Sequence, residues 1–208
     1  MTHPASQIIH DEHRALAAVL RSVLMLVEDG PGDESGRFFD VLRAMLFYID
    51  EFPERLHHPK ESNLLFPKLA RAEPALLDVI RTLEAQHMDG EGRVRELQHL
   101  LLAWELVGES RRLPFVQATQ AYVKFYLEHM RVEETELLPA AERSLSAPDW
   151  AELDEAFGAD PDPLAAGIHD SVYDRLFTRI VLSAPAPIGV GPALAKVASA
   201  ARAAIMAG

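Results

Sequence analysis

The stretch LHHPKESNLLFP, residues 56–67, decides how the rest of the chain is interpreted. Two adjacent histidines stand before a proline, and Glu61 follows His57 by four residues. Residues at this spacing lie on the same face of an α-helix, one turn apart. A single pair of this kind is usually a solvated ion pair on a helix surface. Several such pairs on facing helices would instead form a metal site.

The same spacing recurs twice, in His87 with Glu91 and in His129 with Glu133. The first and last pairs are also alike in their downstream residues, because Leu-Phe-Pro and Leu-Leu-Pro each end ten residues after the histidine. Nearer the N-terminus, His13 adds another imidazole. This internal pseudo-symmetry is expected when two pairs of helices hold two metal ions between them.

The hydrophobic pattern predicts helices along most of the chain and shows no strand-like alternation. Short polar turns separate the apolar stripes, which predicts an all-α, up-down-up-down four-helix bundle. Pro53 and Pro59 predict a kink or a short break in the second helix before Pro67. The four predicted helices cover residues 4–28, about 37–67, 74–107 and 115–145.

A shorter helical region follows the bundle. Ser146-Ala-Pro-Asp149 has the pattern of a capping box that opens a fifth helix, ending near Phe157. We assign residues 1–158 to the bundle and residues 159–208 to a C-terminal appendage, which contains a further short helix from Ile168. The appendage is expected to pack on the bundle or to stay mobile.

Composition narrows the class of protein. Of 208 residues, 49% are hydrophobic and 25% charged, as in ordinary globular domains. The formal net charge of −12 argues against nucleic acid or an anionic membrane as a partner. The chain has no cysteine, which excludes disulfides, thiolate metal sites and a catalytic thiol. Without a secretory or membrane-spanning pattern, we expect a cytoplasmic protein.

The residue types of the His-x-x-x-Glu pairs indicate which metals are suitable. Imidazoles and carboxylates without thiolates suit iron, manganese or zinc, and two ions bridged by carboxylates favour iron or manganese. Divided between two ions, these side chains would leave a coordination position for a small ligand such as O2, peroxide, NO or water.

Four separated segments together resemble a known family. They are HHPKESNLLFP at residues 57–67, Glu12-His13, the QH-x-x-x-E run from Gln86 to Glu91, and EHMRVEETELLP at residues 128–139. In this order they are similar to the hemerythrin-like HHE cation-binding domain family, over roughly residues 8–145. The resemblance implies a four-helix bundle with a non-haem di-iron centre.

Carried over by position, the resemblance also implies the ligands of that centre, with Glu61 and Glu133 bridging the two ions. His58 matches the second position of the paired-histidine motif, and Glu91 stands where oxygen-carrying hemerythrins have another histidine. Either residue would bind an ion directly or orient a ligand by a hydrogen bond. The full candidate set is His13, His57, His58, Glu61, His87, Glu91, His129 and Glu133.

The function expected from this resemblance is to bind, sense or reduce a small oxidant (O2, NO or peroxide) at two iron ions, with manganese or zinc as alternative metals. Storage or donation of iron and repair of iron–sulfur clusters are alternatives, although the lack of cysteine argues against the repair role. A helical interaction protein without metal is the remaining alternative. The sequence does not decide whether the protein is an enzyme.

Overall fold

The described part of the chain is helical throughout. The computed structural model describes residues 3–32, 35–160, 162–166 and 174–184, and within these ranges it has seven helices and no strand. The predicted all-α fold is therefore confirmed. In the same ranges, no helix combines the length and the low polarity that a membrane span requires.

Four long helices are followed by three shorter ones. Helix α1 is Pro4–Asp29. Helix α2 is a continuous helical run over residues 35–72, and α4 is a similar run over residues 112–144. Helix α3 is Leu77–Val107, and a 3-10 turn, Pro74–Leu76, occupies the position where we predicted its start. The shorter helices are α5, Ala147–Ala159, α6, Pro163–Ala166, and α7, Asp174–Ser183.

Glycines and a capping box set several helix ends. Helices α1 and α3 stop at Gly30 (φ 79°) and Gly108 (φ 98°), a backbone region that residues with a Cβ rarely adopt. Each glycine N–H still donates to a carbonyl of the last turn at 2.9 Å. At the start of α5, Ser146 and Asp149 form the predicted capping box.

Widened π-helical turns accommodate the prolines of α2 and α4. We predicted a kink or break before Pro67, but α2 continues through it, with π-helical turns over Asp50–His57 and Glu61–Leu65. Another, Glu133–Leu137, lies before Pro139 in α4. A proline ring in an α-helix clashes with the carbonyl four residues earlier. For both prolines that carbonyl lies inside a π turn, whose wider ring relieves the clash, so the helix does not break.

The four long helices close into a ring in chain order. Helix α1 packs on α2, α2 on α3, α3 on α4, and α4 back on α1. Because the connections are short, consecutive helices run antiparallel, as predicted for an up-down-up-down bundle. Helices α5 and α6 pack on α1, and α7 packs on α2.

Parts of the predicted appendage, residues 159–208, are described. Ile180 of α7 is buried in the same apolar core as residues of α2. The helix that we predicted from Ile168 is described only as α7, because residues 167–173 and 185–208 lie outside the described part of the chain. The boundary between bundle and appendage stays a prediction.

Two apolar cores fill the bundle, and a layer of buried polar side chains separates them. The larger core includes Leu20, Leu42, Met45, Trp104 and Phe115. The smaller core includes Phe66, Leu83, Leu137, Trp150 and Phe157. On each long helix the buried apolar residues pass from one core to the other at the level of a histidine, namely His13, His57, His87 or His129. The fold thus brings four distant parts of the sequence to one level.

Candidate metal centre

Seven of the eight candidate ligands meet in this polar layer, and all seven are buried. They are His13, His57, His58, Glu61, His87, His129 and Glu133. Their ligand atoms form three overlapping groups, and within each group all atoms lie within 4.8 Å of one another. The described residues therefore include His/Glu clusters that can hold metal ions.

The first group is built on α1 and α2. Nε2 of His13 lies 3.2 Å from Nε2 of His57. Glu61 Oε1 lies 3.3 Å from His57 Nε2, and Glu133 Oε2 lies 3.5 Å from His13 Nε2. Two nitrogens bound to one ion at about 2.0–2.1 Å, at angles between 90° and tetrahedral, would be roughly 2.8–3.4 Å apart. The spacing of the two imidazoles thus fits a shared ion.

The second group is built on α3 and α4 and mirrors the first. Nε2 of His87 lies 3.0 Å from Nε2 of His129. The remaining oxygens of the same two glutamates face this pair: Glu61 Oε2 is 3.5 Å from His87 Nε2, and Glu133 Oε1 is 3.2 Å from His129 Nε2. Each glutamate therefore directs one oxygen toward each pair of imidazoles, which is the arrangement of a bridging carboxylate.

The carboxylates of Glu61 and Glu133 face imidazoles but have no hydrogen-bond partner in the described part of the chain. Within the described part of the chain, none of the four oxygens of Glu61 and Glu133 accepts a hydrogen bond, and all four are buried. Desolvation makes a buried carboxylate unfavourable unless nearby positive charge offsets it. Cations between the carboxylates and the imidazoles would satisfy all four oxygens. The residues present therefore fit a pair of metal ions.

The pKa shifts in this layer show that its carboxylates and imidazoles stabilise each other's charged forms. Burial alone would raise the pKa of Glu133, but the neighbouring imidazoles, above all His129, outweigh it and hold the pKa well below the usual range. Burial alone would lower the pKa of His57, but Glu61 and Glu12 raise it well above the usual range. Glu133 is therefore held as a carboxylate and His57 is favoured as an imidazolium, each by the opposite charge beside it.

The Nδ1 atoms of four histidines are held by the neighbouring helix, and the four contacts form a closed ring. From α1 to α2, Glu12 Oε2 contacts His57 Nδ1 at 2.6 Å, and from α2 to α3, Ser62 Oγ contacts His87 Nδ1 at 2.8 Å. From α3 to α4, Gln86 Oε1 contacts His129 Nδ1 at 2.8 Å, and from α4 to α1, Glu134 Oε1 contacts His13 Nδ1 at 3.1 Å. We call these four contacts the orienting ring.

The orienting ring leaves the inner nitrogens free to bind metal. Burial would raise the pKa of Glu12, but His57 lowers it, and His13 likewise lowers the pKa of Glu134. Both carboxylates are therefore ionised acceptors, which requires the hydrogen of each contacting imidazole to be on Nδ1. In the neutral imidazole the lone pair of Nε2 then faces the centre, and a bound cation would take the place of the second hydrogen that the raised pKa of His57 favours.

His58 forms the third group, together with His87 and His129 of the second, and lies outside the orienting ring. Its ring stacks on His87, with centroids 4.2 Å apart, and its ligand atom lies within 4.8 Å of those of His87 and His129. Burial and the neighbouring imidazoles, His87 first, lower the pKa of His58 well below the usual range, so it is neutral. Nδ1 of His58 contacts Glu54 Oε2, one turn earlier on the same helix, at 3.2 Å.

Glu91 is the candidate that the structure does not bring to the centre. Its side chain is 47% exposed and forms an ion pair with Arg95, one turn further along α3. The inner face of α3 at this level is provided by His87 and Gly90 instead. Glu91 therefore has neither of the two roles that we expected for it, direct binding or orientation of a ligand.

The orienting residues were missed by the sequence analysis, although a simple signal marks four of them. Glu12, Ser62, Gln86 and Glu134 each directly follow or precede a candidate ligand on their own helix. Successive residues on a helix are about 100° apart, so the neighbour of an inward side chain faces the adjacent helix. The fifth, Glu54, has its histidine four residues later, the reverse of the His-x-x-x-Glu spacing.

Two cavities adjoin the centre. One, with a volume of ≈ 10 Å³, is lined by His13 and His57 together with apolar side chains such as Phe52. This volume is about enough for one water-sized molecule. The other, of ≈ 220 Å³, lies between α3 and α4 and reaches His129 and Gln86. Each pair of imidazoles thus borders its own cavity.

The comparisons with known proteins agree with this geometry. The sequence matches the family model described as the Hemerythrin HHE cation binding domain over residues 5–141. It is also similar to uncharacterised proteins of Mycobacterium bovis and of two strains of Mycobacterium tuberculosis, each 26% identical over 144 residues. That similarity covers 67% of this chain but 55% of each relative, so it spans about half of their length. With most of the bundle matched, the chain belongs to the hemerythrin HHE cation-binding domain family.

Proposed function

We propose that the protein holds two non-haem iron ions in the polar layer and uses them to bind, sense or reduce a small oxidant: O2, NO or peroxide. The observation that carries this proposal is the set of four buried carboxylate oxygens without hydrogen bonds, two on Glu61 and two on Glu133. Each of these oxygens is directed toward one of two close pairs of imidazoles. A single buried glutamate without hydrogen bonds would not indicate a metal site. Two glutamates that each face both pairs of imidazoles support a binuclear centre.

The residues would divide into two unequal sets. His13 and His57 would hold the first ion, and His87, His129 and His58 the second, with both glutamates shared. The first ion would then have fewer protein ligands and more room for an added molecule. Bound iron would supply the electrons and the open coordination position that reaction with an oxidant needs.

The choice of iron rests on the donor set. Five imidazoles and two bridging carboxylates, with no thiolate, suit a metal that changes between two oxidation states. Zinc is usually four-coordinate with nitrogen and sulfur ligands, and two bridging carboxylates are less typical of it. Manganese has similar ligand preferences to iron, so the metal content of the purified protein must decide between them.

The surroundings of the first pair favour a small uncharged ligand. The cavity beside His13 and His57 has a volume of ≈ 10 Å³, and Leu16 and Phe52 form part of its apolar wall. The acidic residues at its edge, such as Asp162, would repel anions. This space excludes a larger organic substrate.

Metal content and a ligand titration test the proposal together. The protein is purified, reconstituted with Fe(II) without oxygen, desalted and analysed for metal, and about two irons per chain are expected. Absorption spectra after addition of O2, NO or peroxide should then change, and the reagent that causes turnover identifies the activity. A chain that keeps no iron after reconstitution would refute the proposal. Iron that is bound but unchanged by all three reagents would refute the oxidant role and indicate iron storage.

A further inference from the structure

Glu54 lies in a buried pocket that three helices build around its carboxylate. Oε1 accepts hydrogen bonds from the hydroxyls of Tyr122, at 3.2 Å, and Tyr126. Oε2 faces Nδ1 of His58 at 3.2 Å. Burial raises the pKa of both tyrosines, so each hydroxyl keeps its hydrogen and remains a donor. With Oε1 occupied by two donors, Oε2 is the acceptor that remains for His58.

Gly90 of α3 forms the floor of this pocket. A Cβ at residue 90 would overlap the Tyr126 hydroxyl and lie 2.9 Å from both carboxylate oxygens of Glu54. Glycine inside a helix costs about 1 kcal/mol relative to alanine. The neighbouring Gly92 has no atom near the corresponding position. Only the glycine at residue 90 is therefore required by the packing of the Glu54 carboxylate.

We propose that Glu54 is a positioning residue that fixes His58 as a ligand of the second metal position. Burial raises the pKa of Glu54 to about 7, so above this pH its carboxylate accepts the hydrogen of His58 Nδ1, and Nε2 is free of hydrogen. The orienting ring holds the other four histidines from neighbouring helices and does not reach His58. The pocket of Glu54, Tyr122 and Tyr126 supplies the missing contact.

The effect of Glu54 on metal binding rests on the proposed binuclear centre, whereas the contact between Glu54 and His58 does not. His58 contacts Glu54 and His87, which both belong to this chain. If the second position has three imidazoles because of Glu54, loss of the Glu54 contact should weaken the second ion selectively. Loss of a residue that orients a metal ligand typically lowers metal affinity 10–100-fold.

The hydrogen position of His58 is measured in metal-free protein at pH 8 by long-range 1H–15N correlation spectra with 15N-labelled histidine. The His58 signals are assigned by their loss in the His58→Gln variant. Wild type should carry the hydrogen on Nδ1. Glu54→Gln should move it to Nε2, because the glutamine amide donates to Nδ1 where the carboxylate accepted. A wild-type hydrogen on Nε2, or an unchanged spectrum in Glu54→Gln, would overturn the proposal.

Gly90→Ala and Gly92→Ala are a matched pair that tests the pocket without altering any polar group. Gly90→Ala should displace the Glu54 carboxylate and change the His58 signals, as Glu54→Gln does. Gly92→Ala should leave them unchanged and raise the free energy of unfolding by about 1 kcal/mol, the helix propensity difference. Equal effects of the two alanines on His58 would contradict the role of the pocket. Because these variants retain Glu54, they also answer the question if Glu54→Gln fails to fold.

Titration with Co(II) then connects the pocket to metal binding. Wild type should bind two equivalents, and Glu54→Gln should bind the second about 10–100-fold more weakly while the first changes far less. Equal weakening of both equivalents would overturn the selective role of Glu54. If wild type binds no second equivalent, the binuclear centre fails, and the hydrogen position in metal-free protein still decides the role of Glu54.

Discussion

The strongest consequence of the bridging geometry is that one substitution, Glu61→Gln, should weaken both metal positions at once. Glu61 directs Oε1 toward His57, at 3.3 Å, and Oε2 toward His87, at 3.5 Å. Glutamine keeps the shape of the side chain but removes its charge, and its NH2 group cannot bind a cation. Each position therefore loses attraction from the shared carboxylate, and at least one loses an oxygen ligand.

The expected size follows from the stabilisation that bound metal gives to the folded state. With free metal at one hundred times the dissociation constant, each ion stabilises the fold by about 2.7 kcal/mol. Two ions together contribute about 5 kcal/mol, or a rise in Tm of about 10–20 °C for a chain of this length. If Glu61→Gln weakens each position about 100-fold, the same metal concentration contributes about 1 kcal/mol, a rise of about 2–4 °C.

The assay is thermal unfolding with and without Fe(II) under anaerobic conditions, for wild type and variant. Taking the metal-dependent difference in Tm removes any effect of the substitution on the metal-free protein. Glu91→Gln is the control, because this glutamate is exposed and paired with Arg95, and it should keep the full metal-dependent rise. A Glu61→Gln variant with the wild-type rise, or an equal loss in Glu91→Gln, would refute the bridging assignment.

Three further predictions concern single residues. His13→Ala should leave about one ion per chain by metal analysis, because His13 belongs only to the first group. Glu12→Gln should weaken Co(II) binding about 10–100-fold in a titration, because it removes the charged acceptor of His57 Nδ1. Burial raises the pKa of Asp162 to about 6, so the folded state loses stability as pH rises from about 4 to 6. In chemical unfolding of metal-free protein, Asp162→Asn should remove up to about 3 kcal/mol of this loss.

Each of these outcomes can fail in a recognisable way. Two ions in His13→Ala would mean that the first position does not depend on that imidazole. Unchanged Co(II) affinity in Glu12→Gln would mean that the orienting ring does not tune the ligands. If wild type and Asp162→Asn show the same dependence of unfolding free energy on pH, the Asp162 carboxyl does not titrate near pH 6.

The fold was predictable because its signal is local. Apolar residues at helical spacing and the Ser146 capping box act within a few residues, and the observed helices follow the predicted ones to within a few residues at most ends. The continuity of α2 was not predictable in the same way. Rules for proline assume α-helical hydrogen bonding, whereas Pro67 follows a π turn that the surrounding packing maintains.

The sequence predicts those ligands whose positions depend only on residue spacing along a single helix. Residues four apart lie on roughly the same face of a helix, but the spacing alone does not say whether both side chains turn inward. In α3, His87 is buried, whereas Glu91 is exposed and paired with Arg95. The two pairs that do reach the centre each have a glutamate at the start of a π turn and a proline ten residues after the histidine. At the corresponding place in α3 the chain has Leu97 and no π turn. The orienting contacts connect different helices, so no rule for a single helix predicts them.

The orienting ring has a consequence for anyone who would transplant this centre into another bundle. Each helix carries both a ligand and the group that holds the ligand of the next helix, so rotating one helix about its axis misaligns two imidazoles. Grafting the seven candidate ligands alone would leave all five histidines without the groups that hold their Nδ1 atoms. The orienting ring transfers as four dipeptides, one on each helix: Glu12-His13, Glu61-Ser62, Gln86-His87 and Glu133-Glu134, with His57 and His129 as the recipients on α2 and α4. His58 additionally needs Glu54.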